Sequence, residues 1–215
     1  MKNLLRTVCL LAVSGLALPA WAADLRDLEL PPPRTSGGMP LMEALSNRHS
    51  SRSFSPEPLQ QQVLADLLWA AWGVNRPESG KRTAPSAVNR QEITVYVVLE
   101  QGAYRYDAPA NRLAGVVSGD LRELTGTQRF VATAPVNLVY VADMGRVAGR
   151  SEEQKILYAG ADTGFISQNV YLFCASKGLA TVVRGAVDRE PLTRALGLVH
   201  DQQVILAQTV GYPAQ

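Results

Sequence analysis

The apolar positions along the chain change their period several times, and each change marks an element. Across 58–72, Leu59, Val63, Leu64, Leu67, Leu68 and Ala71 recur three and four residues apart, as on one face of an α-helix, and Gly73 supplies the stop. A shorter version at 40–47 puts Leu41, Met42 and Leu45 on one side of a predicted helix. A polar loop is expected over 75–89. Residues 93–99 are β-branched and apolar without interruption, which reads as a strand, and 135–142 repeats that pattern. Short strands at 104–106 and 112–117 flank Asp107-Ala108-Pro109 and predict a hairpin, followed by a short helix within 120–130. Ser151-Glu152-Glu153-Gln154 has the form of a capping box and opens the longest predicted helix, which runs to Lys177 with Gly178 as a left-handed stop. Its second half carries little polar surface, so it is expected to be buried on most sides, in a core or a subunit interface. A brief strand at 181–183, a helix capped by Asp188 and ending near Gly197, and a strand at 204–210 complete the order. Hairpins and helices mix without regular strand–helix alternation, so the expected class is α+β.

The first residues follow a different logic. Lys2 and Arg6 precede an apolar stretch over 8–19, and Ala20-Trp21-Ala22 offers the small-x-small pattern of a signal-peptide cleavage site. Residues 1–22 therefore read as a signal peptide cut after Ala22, and a periplasmic or secreted location is expected. The apolar run is shorter than the ~20 residues of a spanning helix. Residues 23–39 contain Pro31-Pro32-Pro33 and Gly37-Gly38 and read as an extended leader without packed structure, leaving 40–215 as one domain. Cleavage also changes the charge. The 21 Lys+Arg and 19 Asp+Glu of the full chain become 19 of each once Lys2 and Arg6 leave, which argues against a general affinity for nucleic acid or acidic membranes. Cys9 leaves as well, so Cys174 stands alone and an intramolecular disulfide is excluded. With only His49 and His200 beside it, a Cys/His zinc site is disfavoured.

Three segments hold candidate chemistry. Arg48-His49-Ser50-Ser51-Arg52-Ser53-Phe54 packs two guanidiniums and three hydroxyls behind the first helix, and a guanidinium fork suits phosphate. A solvated basic loop is the plain alternative. The segment Pro85-Ser86-Ala87-Val88-Asn89-Arg90-Gln91 combines small residues, which let backbone approach a flat ligand, with amides that can meet a heterocycle edge. A Pro/Ser turn entering a strand has the same composition. Residues 178–185 end a strand at Val183-Arg184-Gly185, where backbone N–H groups can face a ligand. The nucleophile elbow, the phosphate loop, the zinc-protease motif and the dinucleotide glycine pattern are all missing.

In this order and spacing the three segments, with Val210-Gly211-Tyr212-Pro213, resemble the nitroreductase superfamily. A nearer likeness is to its SagB-type branch, the azoline dehydrogenases, through 82–87, 104–107, 119–122 and 168–172. The resemblance implies a central mixed or antiparallel sheet flanked by helices, an intertwined homodimer, and one FMN per active site at the subunit interface. Arg48 and Arg52 would then hold the phosphate, with His49 and Ser50 near the ribityl and pyrimidine side. Pro85, Ser86, Ala87, Asn89 and Gln91 would come from the second subunit, and the backbone at Val183, Arg184 and Gly185 would face flavin N5. It further implies ping-pong hydride transfer, with NAD(P)H as a possible donor, and a flavin that carries the chemistry without a catalytic side chain. Relatives often have basic residues after Gly-Tyr-Pro. Here Gln215 is last, so Arg48 and Arg52 are expected to do more, with Lys81 or Arg82 as helpers. Arg184 stands where some members have Glu, and a cation beside the flavin is expected to raise its potential. The alternative function is a non-catalytic flavin-binding or structural dimer.

Overall fold

The computed structural model describes residues 25–214, so the predicted signal peptide lies outside the described residues. The elements run β1 (Leu28–Glu29), α1 (Leu41–Asn47), α2 (Gln61–Trp72), β2 (Val74–Arg76), β3 (Lys81–Arg82), β4 (Ile93–Leu99), β5 (Gly102–Asp107), β6 (Arg112–Ser118), β7 (Val136–Asp143), α3 (Glu152–Lys177), β8 (Ala180–Arg184), α4 (Arg189–Ala195) and β9 (Gln202–Gly211). Seven strands form one sheet in the order β1-β6-β5-β4-β7-β9-β8, antiparallel at every pairing, and β2 pairs with β3 separately. The sheet is thus wholly antiparallel, within an α+β fold.

The unbroken apolar runs of β4 and β7 have a simple cause, since both faces of these central strands are covered. Val95, Val97, Leu138 and Tyr140 pack against Leu64, Leu67 and Leu68 of α2 and Ile166 and Val170 of α3. Their neighbours Tyr96, Val98, Val139 and Val141 pack with Leu192 and Leu196 on the other face. Full burial of a side chain such as Leu67 or Leu138 stabilises the fold by about 2 kcal/mol. No helix among the described residues is long and apolar enough to cross a membrane.

The structure departs from the sequence-based expectations in three places. The leader is extended but packed: β1 pairs with β6, Leu30 is buried, and Arg34 N–H donates to the Asp66 carboxylate at 2.7 Å. Gly115 makes room for it, because a Cβ there would collide with the backbone of Leu25. The loop expected over 75–89 contains the β2–β3 hairpin, and its end is a 3₁₀ turn at Ala87–Asn89. The helix expected within 120–130 is instead two 3₁₀ turns, Arg122–Thr125 and Arg129–Ala132. Within one chain the second half of α3 buries one side and leaves Phe165 47% exposed and Gln168 exposed.

Candidate functional site

α1 ends at Asn47, and the chain turns extended at Arg48, with φ −63° and ψ 120°. From there it crosses the free edge of β8, whose other edge pairs with β9. Ser51 N–H donates to Thr181 O at 2.9 Å, and Ser55 N–H donates to Tyr212 O at 2.9 Å. Phe54 bridges Pro213. The first motif, the third motif and the closing Gly-Tyr-Pro segment are therefore one structural unit.

Tyr171 of α3 joins these parts, and sequence reading gave it no role beyond family likeness. Its hydroxyl accepts from Val183 N–H at 3.0 Å and shares a hydrogen bond with Ser50 Oγ at 2.8 Å. The Arg48 guanidinium stacks over its ring, 5.4 Å from the centroid. The aromatic thus orients a cation and a hydroxyl on one side and a strand edge on the other. Arg52 and Ser50 are exposed, and the exposed His49 has Nδ1 2.8 Å from Asn47 O. Along β8, Thr181 O and Val183 N–H use the free edge. Gly185 is the first residue beyond this edge. Gly185 is exposed, and a Cβ there would meet nothing nearer than Leu206 at 3.9 Å.

Arg184 requires a correction. Its side chain does not stand beside the free edge but is buried, with 5% exposure. The guanidinium donates to Thr125 O at 2.8 Å, Asn137 Oδ1 at 3.0 Å and Thr209 Oγ1 at 2.8 Å, and stacks over Phe130. Gly126 leaves the space it occupies, where any Cβ would collide with Nη1. The residue type that suggested a redox-tuning cation is a clamp holding the 3₁₀ turns to β7, β8 and β9. Only its backbone remains available to a ligand. A second contact at this clamp, Thr127 N–H to Ala186 O at 3.1 Å, brings residues 126–130 beside the end of β8. Sequence gave no signal for that loop.

The second motif lies elsewhere. Ala87 N–H donates to Asp162 Oδ2 at 2.8 Å, and Gln91 N–H donates to Ser86 Oγ at 2.9 Å. Asn89 Oδ1 accepts from Gln91 Nε2, and Gln91 Oε1 accepts from Arg82 Nε. Val88, Asn89 and Gln91 have φ of 45°, 56° and 49°, a left-handed conformation that a β-branched residue such as Val88 rarely adopts. Pro85 and Val88 are exposed at its tip. Asp162 and Tyr171 are nine residues apart on α3, roughly 13 Å along its axis. Within one chain, then, the first and third motifs converge while the second stands apart. Lys81 and Arg82 belong with the second group, away from Arg48 and Arg52.

Behind the second motif, Glu92 is 1% exposed, and neither carboxyl oxygen has a hydrogen-bond partner. Burial, reinforced by the neighbouring Asp162 carboxylate and opposed by Arg146, pushes its pKa up to about 7. Cys174 is fully buried, and desolvation drives its thiol well above the ordinary range, as expected of inert core.

The pattern has relatives. The model of the nitroreductase family matches residues 45–212, a span that holds all three motifs. A candidate nitroreductase of Methanocaldococcus jannaschii is 31% identical over 156 residues, covering 68% of this chain and 78% of that one. The FMN reductase [NAD(P)H] of Bacillus subtilis is 25% identical over 188 residues, 81% of this chain and 66% of that one. The crystal structure of a candidate nitroreductase from Ralstonia eutropha JMP134 superimposes with a TM-score of 0.84 at 43% identity, covering 92% of this chain and 94% of that chain. Strand order, the joined first and third motifs and the family match agree: this chain belongs to the nitroreductase family.

Proposed function

We propose that the protein is an exported, homodimeric, FMN-dependent oxidoreductase acting on a small molecule. The single observation that carries this reading is the unit built around Tyr171, where a basic, hydroxyl-rich turn meets the free edge of β8. Its donor set suits the cofactor. Arg48 and Arg52 would hold the phosphate, Ser50 and His49 would lie along the ribityl and pyrimidine side, and the edge amide of Gly185 would meet flavin N5. Pro85, Ser86, Ala87, Asn89 and Gln91 would complete the site from a second subunit, which accounts for their distance from the first motif within one chain.

The flavin would supply two-electron transfer between donor and acceptor in alternation. The chain's part is to orient: Tyr171 fixes Ser50 and Val183 together, and Asp162 fixes the backbone of the partner-facing loop. NAD(P)H is the candidate donor, by likeness to the Bacillus subtilis FMN reductase. The likeness to the SagB-type branch points to dehydrogenation of substrate, which fits an exported protein better, since nicotinamide donors are scarce outside the cytoplasm. Export itself rests on the pattern of residues 1–22.

The apolar surface supports dimerisation. Met42 on α1, Leu157 on α3 and Val88 at the loop tip are 76%, 66% and 79% exposed, apolar groups that a second subunit would cover. The test is the visible spectrum of protein purified from its native compartment, with mass analysis of any released cofactor. FMN is expected, bleaching with a reductant and recovering with an acceptor. Arg48→Ala combined with Arg52→Ala should purify colourless. Undiminished flavin in that double variant would place the phosphate elsewhere.

A further inference from the structure

A polar cavity of about 260 Å³ lies where β4 and β5 separate. β4 pairs with β7 along Ile93–Val98 but with β5 only along Tyr96–Leu99, so the first residues of β4 face a gap in the sheet. Arg105, Tyr106 and Asp107 all line this gap. Arg105 stands opposite Tyr96, on the other face from Tyr106, so it meets the cavity at the strand's edge.

The lining is strongly cationic. Arg82 and Arg146 join Arg105, and Asp107 is the one acidic side chain among the lining residues. Arg82 is preset: its guanidinium stacks on Trp72 at 5.2 Å, donates from Nε to Gln91 Oε1 and from Nη1 to Trp72 O, and keeps Nη2 in reserve. Burial holds its pKa below the usual guanidinium range. Tyr106 and Asp107, which line the same cavity, oppose that shift, and Arg146 adds to it. The Tyr106 hydroxyl is buried with no hydrogen-bond partner, in a residue only 7% exposed. An unpaired buried hydroxyl costs about 1–3 kcal/mol, so a site that keeps one has a use for it when filled.

We propose that this cavity is a second anion site, separate from the Arg48–Arg52 turn, which takes a phosphate-sized oxyanion, free or carried by a small molecule. Arg105 and Arg146 supply charge, Arg82 supplies an oriented donor, and the Tyr106 hydroxyl donates the remaining hydrogen bond. The site shares Gln91 with the second motif, so an anion seated here lies directly behind the loop assigned to the partner's flavin.

The test is calorimetric titration of inorganic phosphate into the purified full-length protein at low ionic strength, where exposed charges are least screened. One saturable site is expected per chain. Arg105→Ala should weaken it about tenfold, and Tyr106→Phe, which removes one oxygen, several-fold, with thermal melts of both variants close to wild type. The Arg48→Ala/Arg52→Ala variant should bind phosphate as wild type does, even as it loses flavin. Parallel titration with FMN separates the two sources of the oxyanion. If Arg105→Ala loses FMN while Arg48→Ala/Arg52→Ala keeps it, the cavity holds the flavin's own phosphate and the proposal of a second site is overturned. Absent saturation, or equal binding in Arg105→Ala, overturns it too.

Discussion

Arg184 and Glu92 are both buried ionisable groups without an ion-pair partner among the described residues, yet they act in opposite senses. Burial lowers the Arg184 pKa to about 10, so it stays charged at neutral pH and must be held by neutral acceptors. Its partners are short of alternatives, because Thr209 Oγ1 already donates to Asn137 Oδ1 at 2.5 Å. Arg184→Ala takes the guanidinium donor from the buried Thr125 carbonyl, leaves Asn137 Oδ1 and Thr209 Oγ1 one donor short and opens a cavity, so it is expected to destabilise by about 3 kcal/mol and lower Tm by roughly 10 °C. An unchanged melting curve would show that the clamp holds nothing. Glu92 instead keeps its proton. Below the unfolded value of 4.5 it is neutral in both states and carries no penalty. As pH rises from 4.5 toward 7, the unfolded chain ionises while the folded one resists, so stability is lost across that window. Glu92→Gln should flatten the decline, by at most ~3 kcal/mol at ~1.4 kcal/mol per pH unit. Denaturation midpoints at pH 5 and pH 8 test this, and parallel slopes in wild type and variant would exclude it. Sequence placed Arg184 beside a flavin and gave Glu92 no role, since burial depends on distant segments that neither residue's neighbours in the chain reveal.

At the scale of elements, local chemistry was legible wherever a segment carries its own boundary signal. Ser151 caps α3, accepting from Gln154 N–H at 3.3 Å, while Gln154 Oε1 reaches back to Arg150 N–H, one residue before the cap. Gly178 ends the helix at φ 65°, where a Cβ-bearing residue would be strained. Asp188 occupies the equivalent start of α4 but makes no side-chain cap hydrogen bond. Ser151→Ala should therefore lose about 1 kcal/mol and Asp188→Ala clearly less, in matched urea denaturations. Equal losses would mean that the cap bond of Ser151 contributes nothing beyond helix-end electrostatics. The 3₁₀ turns at Arg122–Thr125 and Arg129–Ala132 had no comparable signal. They are too short for a period, and beside the local pair of Asp120 with Arg122 at 2.7 Å their form is set from afar by Arg184, which anchors Thr125.

For the whole molecule the open question of assembly becomes a measurement. Leu157 and Phe165 of α3 and Leu41 and Met42 of α1 are exposed apolar residues that nothing among the described residues covers. Light scattering should find a dimer, and Leu157→Asp with Phe165→Asp should yield a monomer that has also lost flavin, because each site would draw on both chains. A dimer persisting in that variant would put the interface on another face.

The sequence by itself determined the class, most strands and helices, the ends of α3, and the three motifs. These depend on interactions within a few residues or on a period that an amphipathic element must show. Tertiary structure decided which motifs meet. It paired the leader with β6, turned the Arg184 side chain into the core, gave Tyr171 its joining role and left Glu92 without a partner. Each of those outcomes depends on groups tens of residues apart, and a one-dimensional pattern holds no record of which distant atoms share a dry interior.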